Sequence, residues 1–360
     1  MSTYVVSRED LAYNVRILME KAGTTPIWAV VKADGYGLGV KTFATELYAL
    51  GLRHFCVTEP REAESLLSCR FADIEILMLR QLSDPVEIRA MWKAGVILTV
   101  GSLEAAARIN AAVDGPASVH LKIDTGMGRY GFLPSQLSEM IAIFRQGKRI
   151  RVKGVFTHFN CAFCDDALTK EQFAVFHKTV SALEQAGCDT GIVHCCNSAA
   201  FLKFPEMHLG GVRLGSALLG RMSFPTELRP LGIAETTIEE LRILPKGHTT
   251  GYGAIWKAKR DTTLAIIPVG WCNGLQVSCK EDRSHALDCI RGGLRELKNL
   301  LKRPRAYVYI DRVACPIVGA IGSLHCAVDV THMSDCCRIG DTVKIAINPM
   351  HIKGMEVEFR

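Results

Sequence analysis

A chain of 360 residues is longer than one hydrophobic core usually supports, so its length points to a large domain with a smaller one, or to an α/β barrel with an appendage. With 48% hydrophobic and 22% charged residues it is neither intrinsically disordered nor a small disulfide-stapled scaffold, and it has no apolar run long enough to cross a bilayer. The net charge of +6 is spread along the chain without a basic tail, which argues against nucleic acid as a partner. The opening residues MSTYVVSREDLAYN lack the apolar segment of a secretion signal, so a soluble, cytoplasmic protein with no membrane partner is expected, and reduced thiols for its fourteen cysteines.

In chain order, short apolar runs alternate with amphipathic stretches. The runs 27–31, 54–57, 74–79, 96–100, 118–123, 152–157, 191–195 and 211–214 read as strands. Between them, 42–50, 60–67, 85–92, 102–112, 134–144 and 168–186 place apolar residues three or four apart and read as helices, several closed by a glycine such as Gly51, Gly95 or Gly187. Eight strands, each followed by a helix, predict a (β/α)8 barrel over residues 1–232, with a doubly wound sheet as the competing arrangement. Beyond it the pattern changes. Strands at 262–269, 306–310, 313–318 and 342–347, with one charged helical stretch at 286–301, predict a mainly antiparallel β domain over 233–360.

The first strand runs Trp28-Ala29-Val30-Val31-Lys32 into Ala33-Asp34-Gly35-Tyr36-Gly37-Leu38-Gly39. Barrel active sites are built at the C-terminal ends of strands, which makes Lys32 a candidate; a solvated turn lysine is the alternative. An amine in a partly desolvated pocket loses basicity and can condense with an aldehyde, which suggests pyridoxal phosphate. His158, Cys161 and Cys164 have the spacing of three zinc ligands, but no second pair lies at matching spacing, and no metal is expected.

The segment VVKADGYGLG resembles the cofactor-lysine motif of the fold-type III, pyridoxal-phosphate-dependent alanine racemase family. Seven further stretches at 122–132, 157–159, 194–198, 212–215, 251–253, 268–274 and 328–331 follow in that family's order. The resemblance implies that Lys32 holds the cofactor and works as a base on one face of the substrate Cα. Tyr252, from the partner subunit of a homodimer, would serve the opposite face. It implies Arg213 beside the pyridine nitrogen, where related decarboxylases carry a carboxylate, and therefore interconversion of L- and D-alanine over decarboxylation. Phosphate would fall to Tyr36, Ser198 and the amides of Gly215 and Ser216, with Asn197 beside them. His158 would touch the ring or its arginine, and Arg129 the cofactor's phenolic oxygen and the substrate carboxylate. Lys122 matches a lysine that is carbamylated in some members.

Several positions depart from the family pattern. Ser323 and Leu324 stand where a methionine and an aspartate are usual in a loop that reaches the substrate, which keeps Ser323 as a candidate substrate contact. Leu38 replaces a usual histidine and Asn273 a usual aspartate. No counterpart of a later phosphate-binding tyrosine follows Asp341, which implies a wider entrance. These departures keep open a racemase of serine or another amino acid, or a cofactor-binding relative with weak or no racemase activity.

Overall fold

The computed structural model describes residues 2–145, 149–277, 293 and 306–360. The chain divides into two compact units, Arg8–Leu231 on one side and Met1–Ser7 with Gly232–Arg360 on the other. It therefore passes between them twice. Among the described residues no helix is long and apolar enough to cross a membrane.

After β1 (Thr3–Val6), which belongs to the second unit, come helix Arg8–Ala22 and the eight strands of the first unit: β2 (Ile27–Val30), β3 (His54–Val57), β4 (Glu75–Met78), β5 (Leu98–Val100), β6 (Ala117–Lys122), β7 (Ile150–Phe156), β8 (Ile192–His194) and β9 (Val212–Leu214). All pair in parallel, in two four-stranded groups, and the bridges Leu77 to Ile97 and His194 to Gly211 join the groups into a closed barrel. Every residue of β2 is buried, as expected of a strand covered on both faces. Its Trp28 and Val30 pack with Cys56, Leu77 and Ile97 in the barrel interior.

The helices between strands start where short polar side chains can take the first free amides. Asp84 accepts from Val86 N at 2.9 Å, Ser102 from Ala105 N at 3.1 Å, and Asp165 from Leu168 N at 3.0 Å. One expectation needs correcting: no barrel helix follows β9 among the described residues. Helix Arg8–Ala22 packs instead against the segment beyond β9. The Asn14 carboxamide donates to Leu218 O at 3.2 Å and Arg229 O at 2.8 Å and accepts from Arg229 N at 2.8 Å.

The second unit is one nine-stranded sheet. Its further members are β10 (Ile233–Thr237), β11 (Glu240–Leu244), β12 (Thr262–Ile267), β13 (Tyr307–Ile310), β14 (Val313–Val318), β15 (Cys326–Asp329), β16 (Thr342–Ile345) and β17 (Glu356–Phe359), in the order β11-β12-β15-β14-β13-β16-β10-β1-β17. All neighbours are antiparallel except β1 with β17. The residues before Arg8, read from sequence as part of the barrel, thus lie in the sheet: Thr3 pairs with both Glu235 and Glu356. Tyr4 is fully buried there and donates to Ile347 O at 3.1 Å. The charged stretch at 286–301 lies outside the described residues, apart from Gly293.

Candidate active site

The barrel strands end around a cavity of about 610 Å³. Lys32, Tyr36, Lys122, Arg129, His158, Asn197, Ser198, Arg213, Gly215 and Ser216 all line it, so the ten barrel residues singled out from sequence come together. Lys32 follows β2, Lys122 closes β6, His158 follows β7, Asn197 and Ser198 follow β8, and Arg213 sits within β9. With Arg80 and Arg221 the wall holds six lysines and arginines and no carboxylate among the described residues.

Lys32 opens onto a turn that the sequence foreshadows only through its glycines. Ala33, Asp34, Gly35 and Tyr36 all have φ between 53° and 63°, a left-handed run in which three residues carry side chains. Such positions cost of order 1 kcal/mol each and persist only where the surroundings fix them. Here Gly35 N donates to Val31 O at 3.0 Å, Gly39 N to Asp34 O at 2.9 Å, and Val40 N to the Asp34 carboxylate at 3.1 Å. The run swings the Tyr36 ring onto Gly215, where any Cβ would collide with the phenol. Burial pushes the Tyr36 hydroxyl well above its ordinary range, with Cys56 and Glu62 adding to it, so it remains a protonated donor.

Arg213 is fastened from several sides. Its guanidinium donates to His194 Nδ1 at 2.8 Å, Thr157 O at 2.7 Å, and the carbonyls of His194 and Cys195 at 3.2 Å. Because Arg213 can only donate, His194 Nδ1 is the acceptor; its Nε2 then donates across 2.9 Å to His120 Nδ1. Burial, then the Arg213 charge, depresses both histidines, His120 to about 3, and both are neutral. A guanidinium keeps its charge in such surroundings although burial lowers its pKa.

The remaining cations act on one another. Burial pushes Lys122 down to about 8, helped by Arg129 and Arg213 and opposed by Asp124. Lys32 is lowered by desolvation and then by Arg129, with Glu62 opposing. His158 is driven well below its ordinary value by burial and by Arg213, Lys122, Arg129 and Lys32. A histidine ringed by four cations is a poor place for a divalent metal, and no three His, Cys, Asp or Glu side chains gather as a metal site among the described residues. Arg129 hangs from a loop fixed by the Asp124 carboxylate, which accepts from the amides of Gly126, Met127 and Gly128 at 2.8 to 3.1 Å.

Asn197 caps helix Ser198–Lys203, its Oδ1 accepting from Ala199 N and Ala200 N and its Nδ2 donating to Phe159 O. It positions Ser198. The Ser198 oxygen accepts from Gly215 N at 3.1 Å and Ala217 N at 3.2 Å, which leaves its proton to be donated elsewhere.

Tyr252 and Ser323, the other two candidates, line a different pocket of about 420 Å³ in the second unit, together with Leu324 and His325. Tyr252 is 80% exposed, and Ile255, Trp271 and Leu324 are exposed as well. The turn bearing Tyr252 is tied to the loop at 320–325 because Gly251 packs directly on the Ala320 backbone. That loop is held in turn by Trp271 N donating to Gly322 O at 3.1 Å and Cys272 N to Ser323 O at 3.0 Å.

Comparison with known proteins is consistent across both units. Residues 6–223 match the model of the alanine racemase N-terminal domain and residues 233–357 that of the alanine racemase C-terminal domain. The chain belongs to the alanine racemase family. It is 32% identical over 352 residues to the alanine racemase of Clostridium tetani, covering 94% of this chain and 84% of that one. Among solved structures, alanine racemase from Clostridium difficile 630 superposes with a TM-score of 0.84 at 23% identity, covering 100% of this chain and 95% of the other. That from Bartonella henselae, with covalently bound pyridoxal phosphate, gives 0.82 at 22% identity, covering 100% and 99%. As a member of the alanine racemase family, the chain is an amino-acid racemase.

Two arginines in this racemase's cavity wall escape the sequence reading. Arg80 directly follows the apolar run 74–79, so the reasoning that picks out Lys32 applies to it equally; it donates to Thr58 O at 2.9 Å and pairs with Glu59 at 3.0 Å. Arg221 carries no such mark, since it follows β9 by seven residues. One departure from the racemase pattern has a local reason. Asn273 accepts from Gly270 N at 3.0 Å and donates to Lys353 O at 3.1 Å, and an aspartate carboxylate can make only the first of these bonds.

Proposed function

We propose that this chain interconverts L- and D-alanine with pyridoxal phosphate, as a homodimer whose active sites are shared between subunits. The observation that carries the reading is Lys32 opening into a cavity walled by six lysines and arginines and, among the described residues, no carboxylate, in a member of the alanine racemase family. The donor set fits an anionic, aldehyde-bearing cofactor. The Ser198 hydroxyl and the protonated Tyr36 phenol would hold the phosphate beside Gly215 and Ser216, the missing Cβ of Gly215 leaving room for the Tyr36 ring. When bound, pyridoxal phosphate supplies the electron sink that acidifies Cα of the amino acid. The Bartonella henselae relative carries that group covalently.

The protein's part is to bind, orient and move one proton across the Cα plane. Desolvation and Arg129 keep the Lys32 amine less basic than an ordinary lysine, which favours both carbonyl condensation and proton exchange at Cα. Racemisation needs the proton to leave one face and return on the other. Tyr252 of the partner subunit would serve that second face; an exposed phenol among exposed Ile255, Trp271 and Leu324 suits a surface that a second copy covers. Arg213, charged and fixed by carbonyls, would face the ring nitrogen and keep it unprotonated, which limits side reactions. Arg129 would meet the substrate carboxylate. Lys122, lowered to about 8, has a larger neutral fraction near neutral pH than an ordinary lysine; carbon dioxide needs that neutral amine, and the resulting carbamate would answer the charge of Arg129.

Incubation of the loaded protein with L-alanine in deuterated water should yield D-alanine with deuterium at Cα and no loss of carbon dioxide. Exchange with no proteinogenic amino acid would overturn the reading. A second reading, a larger or more polar substrate, is favoured by Ser323 and Leu324 in the pocket beside Tyr252. A higher kcat/KM on another amino acid would replace alanine by that substrate.

A further inference from the structure

Cys161 and Cys164 lie in the loop between β7 and helix Asp166–Gln185, and the residue between them that reaches furthest, Phe163, lines the barrel cavity while remaining 55% exposed. The loop is a tight turn: Cys164 N donates to Cys161 O at 2.9 Å and Asp165 N to the same oxygen at 2.8 Å. Such a turn holds its end Cα atoms within about 7 Å, close to the span that a disulfide bridges. The Cys164 thiol is exposed and that of Cys161 partly so. The other described neighbours differ. Cys195 and Cys196 are fully buried and both thiols point to Met207 O, while Cys337 is buried beside Cys336.

The Cys161 thiol also donates to Asn160 Oδ1 at 2.8 Å. The other end of that carboxamide donates to Gly126 O at 2.9 Å, and the Asn160 amide reaches Gln172, which holds Thr125 O at 3.1 Å. One thiol hydrogen thus stands at the end of a chain of contacts leading to the loop that presents Arg129.

We propose that Cys161 and Cys164 form a reversible disulfide at the rim of the barrel cavity, driven by low-molecular-weight disulfides, and that closing it loosens the loop at 124–129. The deprotonated thiol of exposed Cys164 attacks one sulfur of glutathione disulfide, forming a mixed disulfide and releasing one glutathione. The Cys161 thiolate then attacks Cys164 Sγ, closing the bridge and releasing the second glutathione, so two protein thiols are oxidised as one disulfide is reduced. The Cys161 proton is lost in the exchange, and with it the hydrogen bond to Asn160. Burial, then Cys164 and Asp165, raises the Cys161 thiol above its ordinary value, which makes Cys164 the better first nucleophile. The loss of turnover that follows rests on the role given above to Arg129; the bridge and the loosened loop do not.

Both cysteines fall in one tryptic peptide, residues 154–170, because no Lys or Arg lies between Lys153 and Lys170. The loaded protein is equilibrated in glutathione redox buffers, alkylated and digested. The expected product is that peptide two hydrogens lighter and unalkylated, reverting with dithiothreitol and absent in Cys164→Ser. In the oxidised protein the Gly126–Gly128 amides should exchange with deuterium about fivefold faster, the worth of one hydrogen bond, and kcat/KM should fall and recover on reduction. Glutathione adducts without the bridge, or a bridge that leaves amide exchange at 126–128 unchanged, would overturn the proposal. If the bridge forms and exchange rises in a protein with no racemisation even when reduced, the racemase reading fails and the redox site stands.

Discussion

The barrel cavity and the pocket around Tyr252 are built on opposite principles. In the barrel, charge is concentrated and fastened: Arg213 is 3% exposed with four acceptors, and Lys122 is 3% exposed at the end of β6. Around Tyr252, apolar side chains are exposed and the loops are held by backbone bonds and glycine contacts, with no buried charge among the described residues. A cavity of buried cations costs desolvation and is tolerable only if an anion completes it. An exposed apolar rim costs little until something covers it. In the reading proposed above, the first would receive a small anionic group and the second would be half of a subunit interface.

This contrast can be broken at either end. The largest effect is expected at Lys32: Lys32→Ala should remove the visible absorbance of bound cofactor and lower turnover about a thousandfold, and an unchanged spectrum would sink the assignment. Next comes Lys122. Its pKa falls from 10.5 to about 8 on folding, so the unfolded chain binds more protons between those values and stability rises with pH across that window. The burden below pH 8 corresponds to about 3 kcal/mol. Denaturant titrations of cofactor-free protein between pH 7.5 and 10.5 should show this rise, and Lys122→Gln should flatten it; parallel profiles would show that Lys122 is not held as a destabilised cation.

Tyr252→Phe tests the other pole. Turnover should drop about a hundredfold while the cofactor spectrum stays as in the parent. Mixing this variant with Lys32→Ala should recover part of the activity, since one of the hybrid's two sites is then intact. No recovery would place both residues in one subunit's site. The smallest effect is expected for Ser198→Ala, which should weaken cofactor binding about tenfold by removing one charge-assisted hydrogen bond; titration of cofactor-free protein with pyridoxal phosphate measures it.

The barrel was legible because parallel strands buried on both faces are continuous apolar runs, and all eight such runs coincide with strands. The barrel candidates gather in one cavity because barrel chemistry collects at strand ends; Lys32 announces itself by that position, whereas His158 enters only through its spacing to Cys161 and Cys164 and through the family resemblance. The sheet was less legible. β15 and β17 are short segments whose pairing depends on partners far away in the chain, and β1 (residues 3–6) pairs with residues at 233–235 and 356–359, a relation that no local pattern encodes. Helix Arg8–Ala22 is absent from the sequence reading although Leu11, Val15, Leu18 and Ala22 lie three or four apart and Glu9 and Asp10 stand in its first turn. What sequence could not convey is the left-handed path of Ala33, Asp34 and Tyr36. Their side chains disfavour that backbone, and it is imposed by bonds from Val31, Val40 and Glu62.

β1 carries one more consequence. As the chain leaves the ribosome, residues 3–6 emerge well before the strands on either side of them, β10 and β17, which lie at 233–237 and 356–359. The barrel can close around its own residues while this strand waits unpaired, and the nine-stranded sheet is completed only once residues 356–359 have been made. Any mixed-edge vulnerability to aggregation belongs to that interval. A bulky fusion ahead of Thr3 should therefore delay appearance of the folded sheet much more than it delays the barrel.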